Sequence, residues 1–185
     1  LEQINAIERA TRYGRAEVLR LGVAVIFIVG IMLYVRSIGA DAPNMVMLVA
    51  AAMIGGYMAM NIGANDVANN VGPAVGSKAL TLAGAIAIAA IFEASGALIA
   101  GGDVVSTIKK GIIDPALIGD ADTFIWLMIA ALLAAALWLN VATYVGAPVS
   151  TTHSIVGGVM GAGIAAGGSG IVDWGQFGQI AFAAI

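Results

Sequence analysis

The sequence predicts an all-α membrane protein with several membrane-spanning helices, some of them broken. Of its 185 residues, 61% are hydrophobic and only 10% are charged, and the mean hydropathy is +0.99. Soluble domains carry about 25% charged residues, because their surface meets water. The composition therefore argues against a soluble enzyme, a nucleic-acid-binding protein and a disordered chain. The absence of cysteine excludes disulfides and thiolate metal sites.

Long runs without charge mark the spanning segments, because a charge at the bilayer centre costs roughly 3 kcal/mol. Residues 21–38 form the first predicted span, and the arginines of the polar segment 1–20 favour a cytoplasmic N-terminus. Residues 42–65 and 79–102 are further apolar runs, the second interrupted only by Glu93. Residues 103–122 hold several charges and are predicted to form a polar loop.

The longest run, residues 123–172, contains no Asp, Glu, Lys or Arg. As one helix it would extend about 75 Å, more than twice the thickness of a bilayer core. We expect it to break at Gly146-Ala147-Pro148, because proline lacks an amide N–H and disfavours the helical conformation of the residue before it. The predicted helices are therefore 124–145 and 150–166.

A polar segment between two apolar runs is the clearest candidate for a functional site. It contains Asn61, Asn65, Asp66, Asn69 and Asn70, together with Gly63, Gly72, Pro73 and Gly76. One interpretation is a surface loop. The other is a broken helix whose unwound backbone and amide oxygens line a cavity, which is where irregular backbone is tolerated at membrane depth. The last four of the five polar residues share one helical face, which favours the cavity, and their oxygens suit a hard cation.

Two further features stand out in the apolar runs. Glu93 lies within a predicted span, where a carboxylate is a candidate cation ligand or proton carrier, or else a hydrogen-bonded helix contact. Ser150, Thr151 and Thr152 follow Pro148 at a predicted helix start, where free amides and hydroxyls suit an oxyanion. A plain helix cap is the alternative. An intramembrane hydrolase using Ser150 or Thr151 with His153 lacks a residue to orient the histidine.

An ordered set of motifs resembles the inorganic phosphate transporter (PiT) family. Residues 63–70 (GANDVANN), followed by 75–78 (VGSK), resemble its first signature, and residues 148–157 (PVSTTHSIVG) resemble its second. Residues 92–97 (FEASGA) and 107–114 (TIKKGIID) lie between them in the same order as in the family. The resemblance extends over residues 46–166.

The resemblance implies secondary active transport of inorganic phosphate by alternating access, coupled to Na⁺ or H⁺, with no other cofactor and no enzymatic activity. Another tetrahedral oxyanion, sulfate or arsenate, is the alternative cargo. The implied phosphate-binding residues are Ser150, Thr151 and Thr152. The implied cation-binding residues are Asn65, Asp66, Asn69, Asn70 and Glu93, of which the sodium ion would take Asn65, Asp66, Asn69 and Glu93.

The resemblance also implies one half of an inverted-repeat fold. Residues 42–185 would form the first repeat, truncated at its C-terminus, and residues 21–38 an extra transmembrane helix. The expected partners are inorganic phosphate, the lipid bilayer, the second repeat of the same full-length chain and a second copy in a homodimer, but not nucleic acid. We expect a multi-pass protein of the bacterial inner membrane. The start at Leu1 and the apolar end suggest a fragment of a longer chain.

Overall fold

A computed structural model describes residues 2–113 and 115–183, with side chains from residue 17 onward except at 107, 109, 110, 115, 181 and 183. The chain is 84% helical, and the described residues contain no β-strand. The α-helices are α1 (Glu2–Ile38), α2 (Met45–Ile62), α3 (Ala68–Gly76), α4 (Leu82–Gly111), α5 (Ala121–Tyr144), α6 (Thr151–Gly167) and α7 (Trp174–Ala183). A π-helical turn, Gly63–Val67, joins α2 to α3. This confirms the predicted all-α membrane fold.

Four segments of the described chain are long and apolar enough to cross a membrane. They are Glu17–Ile38, Met45–Gly76, Leu82–Ser106 and Ala121–Tyr144. Each overlaps a charge-free run in the sequence. The polar segment 1–20 is not separate from the first span, since α1 continues from Glu2 without interruption; the side chains of residues 1–16 lie outside those described.

The first compact unit comprises residues up to Gly56, that is, α1 and most of α2. Gly56 lies against Ile28 and Ile31 of α1, so closely that a methyl group at Gly56 would collide with Ile31. Near the start of its span, α1 carries an exposed ion pair between Arg20 and Glu17, 2.7 Å long. Such a pair contributes little to stability.

The second unit, from Tyr57 onward, is built around an antiparallel hairpin of α5 and α6. Gly158 of α6 lies directly against the backbone of Ala131 in α5, which permits the close approach that small residues give to membrane helices. One hydrophobic cluster joins Leu127 of α5 to Val156 and Val159 of α6, and it includes the connecting residues 112–113 and 171–172.

The predicted break between α5 and α6 is confirmed, since α5 ends at Tyr144 and α6 begins at Thr151, each one residue from the predicted bound. The start of α5 at Ala121 lies three residues before the predicted 124. Gly146 adopts a left-handed φ of 71° and donates its amide to the Thr143 carbonyl, while the Ala147 amide reaches Ala142. This is a Schellman motif, which satisfies the last carbonyls of a helix. Pro148 follows it, and Ser150 caps the start of α6.

Two further details differ from the sequence-based expectations. The segment 103–122 is not one polar loop, because α4 continues to Gly111; its charged residues do not stop a helix that meets no proline before Pro115. Asp114, which we placed in that loop, lies outside the described residues. The interruption at the asparagine segment is a π-helical turn rather than unwound backbone, so the backbone remains hydrogen-bonded between Met45 and Gly76.

Candidate functional site

The asparagine segment meets the tip of the α5–α6 hairpin partway along a spanning helix. The helical segment from Met45 to Gly76 has 32 residues. Asn65 lies about 17 Å along the helix from the end of this segment at Gly76. A π-helical turn places an extra residue in one helical turn, and such turns frequently mark functional sites.

Asn65 is the residue that joins the two segments. Its Nδ2 donates to Thr143 Oγ1 at 3.2 Å and to the Ala147 carbonyl at 3.0 Å. Its Oδ1 accepts from Asn69 Nδ2 at 3.1 Å and from the Val149 amide at 3.3 Å. Only 5% of Asn65 is exposed, so these contacts are shielded from water. Asn65 thus connects the π-helical turn, the end of α5 and the turn around Pro148.

A second amide contact lies one helical turn earlier. Asn140 Nδ2 of α5 donates to Asn61 Oδ1 at 3.0 Å, and Asn61 Nδ2 donates to the Tyr57 carbonyl at 2.9 Å. Asn61 contacts Asn140, and Asn65, which is later in the chain, contacts Thr143, which is also later. The two helical segments therefore run parallel here. Helix α4 must therefore return between them, as expected for successive membrane crossings.

The start of α6 presents hydroxyls and free amides. The Ser150 hydroxyl accepts the His153 amide at 3.3 Å and so acts as the helix cap. The amides of Thr151 and Thr152 occupy the first helical positions, where the helix offers no carbonyl partner. Thr151 Oγ1 is buried without a hydrogen-bond partner in the described part of the chain, an unusual state for a buried polar atom.

The other predicted cation ligands lie on two elements. Asp66 is half-buried in the π-helical turn, and Asn69 and Asn70 are exposed in the first turn of α3. The bond from Asn69 to Asn65 agrees with the predicted shared helical face. Glu93 lies exposed within α4, and among the described residues no hydrogen bond joins it to the Asn65 group.

The described residues contain no group of three His, Cys, Asp or Glu side chains that could hold a metal ion. A cation at this site would therefore use amide, hydroxyl and carbonyl oxygens with one carboxylate, as sodium-type sites do. Pro73 lies within α3 and has no N–H, so it cannot donate the usual helical hydrogen bond to the carbonyl of Asn69.

Sequence reasoning missed two residues of this site, Asn140 and Thr143. Both lie near the C-terminal end of α5, three positions apart, and both contact asparagines that are four positions apart on the facing helix. The spacing of polar residues on two apolar helices is the signal that could have identified them.

Comparison with known proteins agrees with the sequence motifs. A profile of the phosphate transporter family matches residues 62–185. A Helicobacter pylori (strain J99) protein named "Putative phosphate permease" is 53% identical over 174 residues, covering 94% of this chain and 33% of its own length. A Mycobacterium bovis protein of the corresponding name is 52% identical over 146 residues, covering 74% of this chain and 26% of its own length. The chain spans about a third of the length of the Helicobacter pylori relatives that it matches.

A solved structure titled "The sodium-dependent phosphate transporter" has the same fold. It superposes with a TM-score of 0.71 at 43% identity, over 75% of this chain and 34% of that one. A transporter family and four apolar spanning segments identify a multi-pass integral membrane protein and not an enzyme. The chain belongs to the phosphate transporter family.

Proposed function

We propose that the full-length protein takes up inorganic phosphate together with a cation, by alternating access. In this proposal residues 42–185 belong to the first of its two inverted repeats, and residues 21–38 form an extra transmembrane helix. The observation that carries the proposal is the set of hydrogen bonds from Asn65, which joins an oxygen-rich helical turn to a helix start. Half-helix ends facing anions, beside carbonyls facing cations, are the recurring design of secondary transporters.

Phosphate is proposed to bind at the start of α6. The amides of Thr151 and Thr152 and the hydroxyls of Ser150, Thr151 and Thr152 are the donors, and the positive end of the helix dipole favours the anion. The buried Thr151 Oγ1 supports this assignment, because a phosphate oxygen would supply the partner that it lacks.

The cation is proposed to bind beside the π-helical turn. Asp66 supplies the negative charge, and Asn69, Asn70 and Glu93 supply further oxygens. Asn65 joins this turn to the proposed phosphate-binding segment. A phosphate next to Asp66 and Glu93 would be repelled unless cations entered with it, so uptake of the two is coupled. Sodium is the favoured ion, since the solved relative is titled as sodium-dependent.

Alternating access is proposed to expose this site to one side of the membrane and then to the other. The second repeat of the full-length chain would complete the site. We further propose a bacterial inner membrane location with a cytoplasmic N-terminus, and a homodimer as the assembled state.

Uptake of labelled phosphate into proteoliposomes tests the proposal. The full-length protein is expected to concentrate phosphate under an inward sodium gradient, and not without one. A pH gradient replaces the sodium gradient in a parallel assay and identifies proton coupling. Uptake that ignores both gradients contradicts the coupling, and stronger competition by sulfate or arsenate than by unlabelled phosphate contradicts the assigned cargo.

A further inference from the structure

The side chain of Asn65 has no remaining capacity for a ligand. An amide offers two N–H donors and two oxygen lone pairs. Both donors are used, by Thr143 Oγ1 and the Ala147 carbonyl, and both lone pairs are used, by Asn69 Nδ2 and the Val149 amide. The orientation of the amide is fixed by chemistry, because the Ala147 carbonyl can only accept and the Val149 amide can only donate.

The two backbone contacts lie on either side of Pro148. The Ala147 carbonyl and the Val149 amide belong to the short non-helical connection between α5 and α6, where no helix satisfies them. Both residues are half-buried, and an unpaired backbone group in such surroundings is unfavourable. The side chain of Asn65 therefore supplies the hydrogen-bond partners that neighbouring backbone would otherwise have to provide for this connection.

We propose that Asn65 is a positioning residue: its side chain fixes the turn around Pro148 against the π-helical turn and so holds the phosphate-binding start of α6 in place. It does not bind the cation through its side chain. The inference rests on the proposed function only where it uses the apparent KM for phosphate as a measurement. The cation ligands in its neighbourhood are then Asp66 and the more exposed asparagines.

The chain offers a matched control in Asn61. Its side chain is as buried as that of Asn65, with 5% of each residue exposed, and it also contacts α5, through Asn140. It does not contact the Pro148 turn among the described residues. A general loss of helix packing would affect both variants, whereas loss of the positioning contact would affect only Asn65.

The test measures the accessibility of the turn in the full-length protein. A single cysteine replaces Val149, which is half-buried, and the labelling rate with a maleimide is compared in three backgrounds: native, Asn65→Ala and Asn61→Ala. We expect Asn65→Ala to raise the rate at least about tenfold, the change in an equilibrium that corresponds to 1.4 kcal/mol. Asn61→Ala is expected to stay within about twofold of the native background.

Transport kinetics separate positioning from cation binding. With the native Val149 restored, Asn65→Ala should raise the apparent KM for phosphate while the apparent KM for sodium stays unchanged; a cation ligand would raise the KM for sodium. Asn65→Asp serves if the alanine variant does not fold, because it keeps the size and the acceptors but gives Ala147 no donor. It should also raise the labelling rate.

An unchanged labelling rate in Asn65→Ala, or an equal rise in Asn61→Ala, overturns the inference. The labelling experiment needs no transport activity. A protein that fails to carry phosphate but shows the selective rise in labelling would therefore contradict the proposed function and leave the positioning role of Asn65 standing.

Discussion

Asp66 is the one carboxylate in the segment from Asn61 to Gly76, and it lies beside the residue that joins the two halves of the site. Every other side-chain oxygen of that segment is neutral. In the proposed site its charge would decide whether a cation is held, since amide and carbonyl oxygens alone compensate the positive charge only partly. A phosphate bound nearby would in turn depend on that cation.

Replacing Asp66 with asparagine is expected to abolish phosphate uptake while the protein still folds, because the amide keeps the size of the side chain and removes its charge. Uptake into vesicles and the elution profile in detergent measure the two properties. Asp41→Asn, in the connection between α1 and α2, is the control and should transport normally. Near-normal uptake by the Asp66 variant would show that the carboxylate is not a ligand.

A substitution at Thr151 can distinguish a phosphate-binding site from an ordinary helix start. Thr151→Val removes the hydroxyl that lacks a partner and keeps the shape of the side chain. Without phosphate, the variant should be as stable as the native protein or slightly more stable, because a buried unpaired group is lost. The apparent KM for phosphate should rise about tenfold, the effect of roughly one hydrogen bond to a charged group.

Thermal unfolding and initial uptake rates measure these two effects. Ser95→Ala is the matched control, since the Ser95 hydroxyl donates to the Ile91 carbonyl within its own helix, far along the sequence from the turn. It should change neither property appreciably. A Thr151→Val protein with an unchanged KM would remove that hydroxyl from the phosphate site.

The π-helical turn shows where sequence reasoning stops at the level of elements. Helix ends with strong chemical signals were predictable: Gly146 and Pro148 end α5, and Ser150 begins α6. At Gly63–Val67 the structure has a π-helical turn where we predicted unwound backbone. The composition of this segment does not distinguish a π-helical turn from unwound backbone. Its geometry comes from contacts distant in sequence, such as those of Asn65 with α5, which no local pattern contains.

The approach of α6 to α5 depends on Gly158. A methyl group there would lie 2.6 Å from the Ala131 carbonyl oxygen, whereas one at Gly161 would meet nothing within 4 Å in the described part of the chain. We expect Gly158→Ala to destabilise the protein by about 1–3 kcal/mol, as overpacking does. Gly161→Ala is the control and should be neutral or stabilising. Thermal unfolding in detergent compares them, and equal melting temperatures would contradict the close packing.

The cap of α5 makes stability depend on pH. Hydrogen bonds from the Thr123 amide, 2.7 Å long, and then from the Thr123 hydroxyl lower the pKa of Asp120 below its ordinary value of 3.8. A lowered folded-state pKa means that the ionised cap stabilises the fold above pH 3.8, and that this contribution disappears as the pH falls through the lowered pKa.

Asp120→Asn keeps a capping oxygen without the charge. At neutral pH it should melt below the native protein, because the charge-assisted hydrogen bonds and the favourable interaction with the helix dipole are lost. The gap between the two melting temperatures should narrow as the pH is lowered past the pKa of Asp120. Melting curves recorded across acidic pH check this, and a gap that is independent of pH would contradict it.

At the scale of the whole molecule, this chain is shorter than the proteins it resembles. The chain covers 33% of the length of the relative from Helicobacter pylori and 34% of the solved sodium-dependent transporter. Composition and charge-free runs were enough to predict the membrane fold, because lipid excludes charge along every span. They could not predict the surroundings of Glu93, which lies exposed within α4, because contacts distant in sequence determine them.

The membrane topology of the whole chain can be tested by the direction in which each span crosses. A cytoplasmic N-terminus places the α1–α2 connection outside, the α3–α4 connection inside and the α4–α5 connection outside again, as the parallel α2 and α5 require. This chain has no cysteine, so single cysteines at Asp41, Ala79 and Gly119 give an unobstructed readout once any cysteine elsewhere in the full-length protein is replaced. A membrane-impermeant maleimide added to intact spheroplasts should label the first and third and spare the second, which becomes reactive after lysis. The reverse pattern would show the opposite orientation. Labelling of all three before lysis would show that the segment from Met45 to Gly76, which contains Asn65, does not cross the membrane.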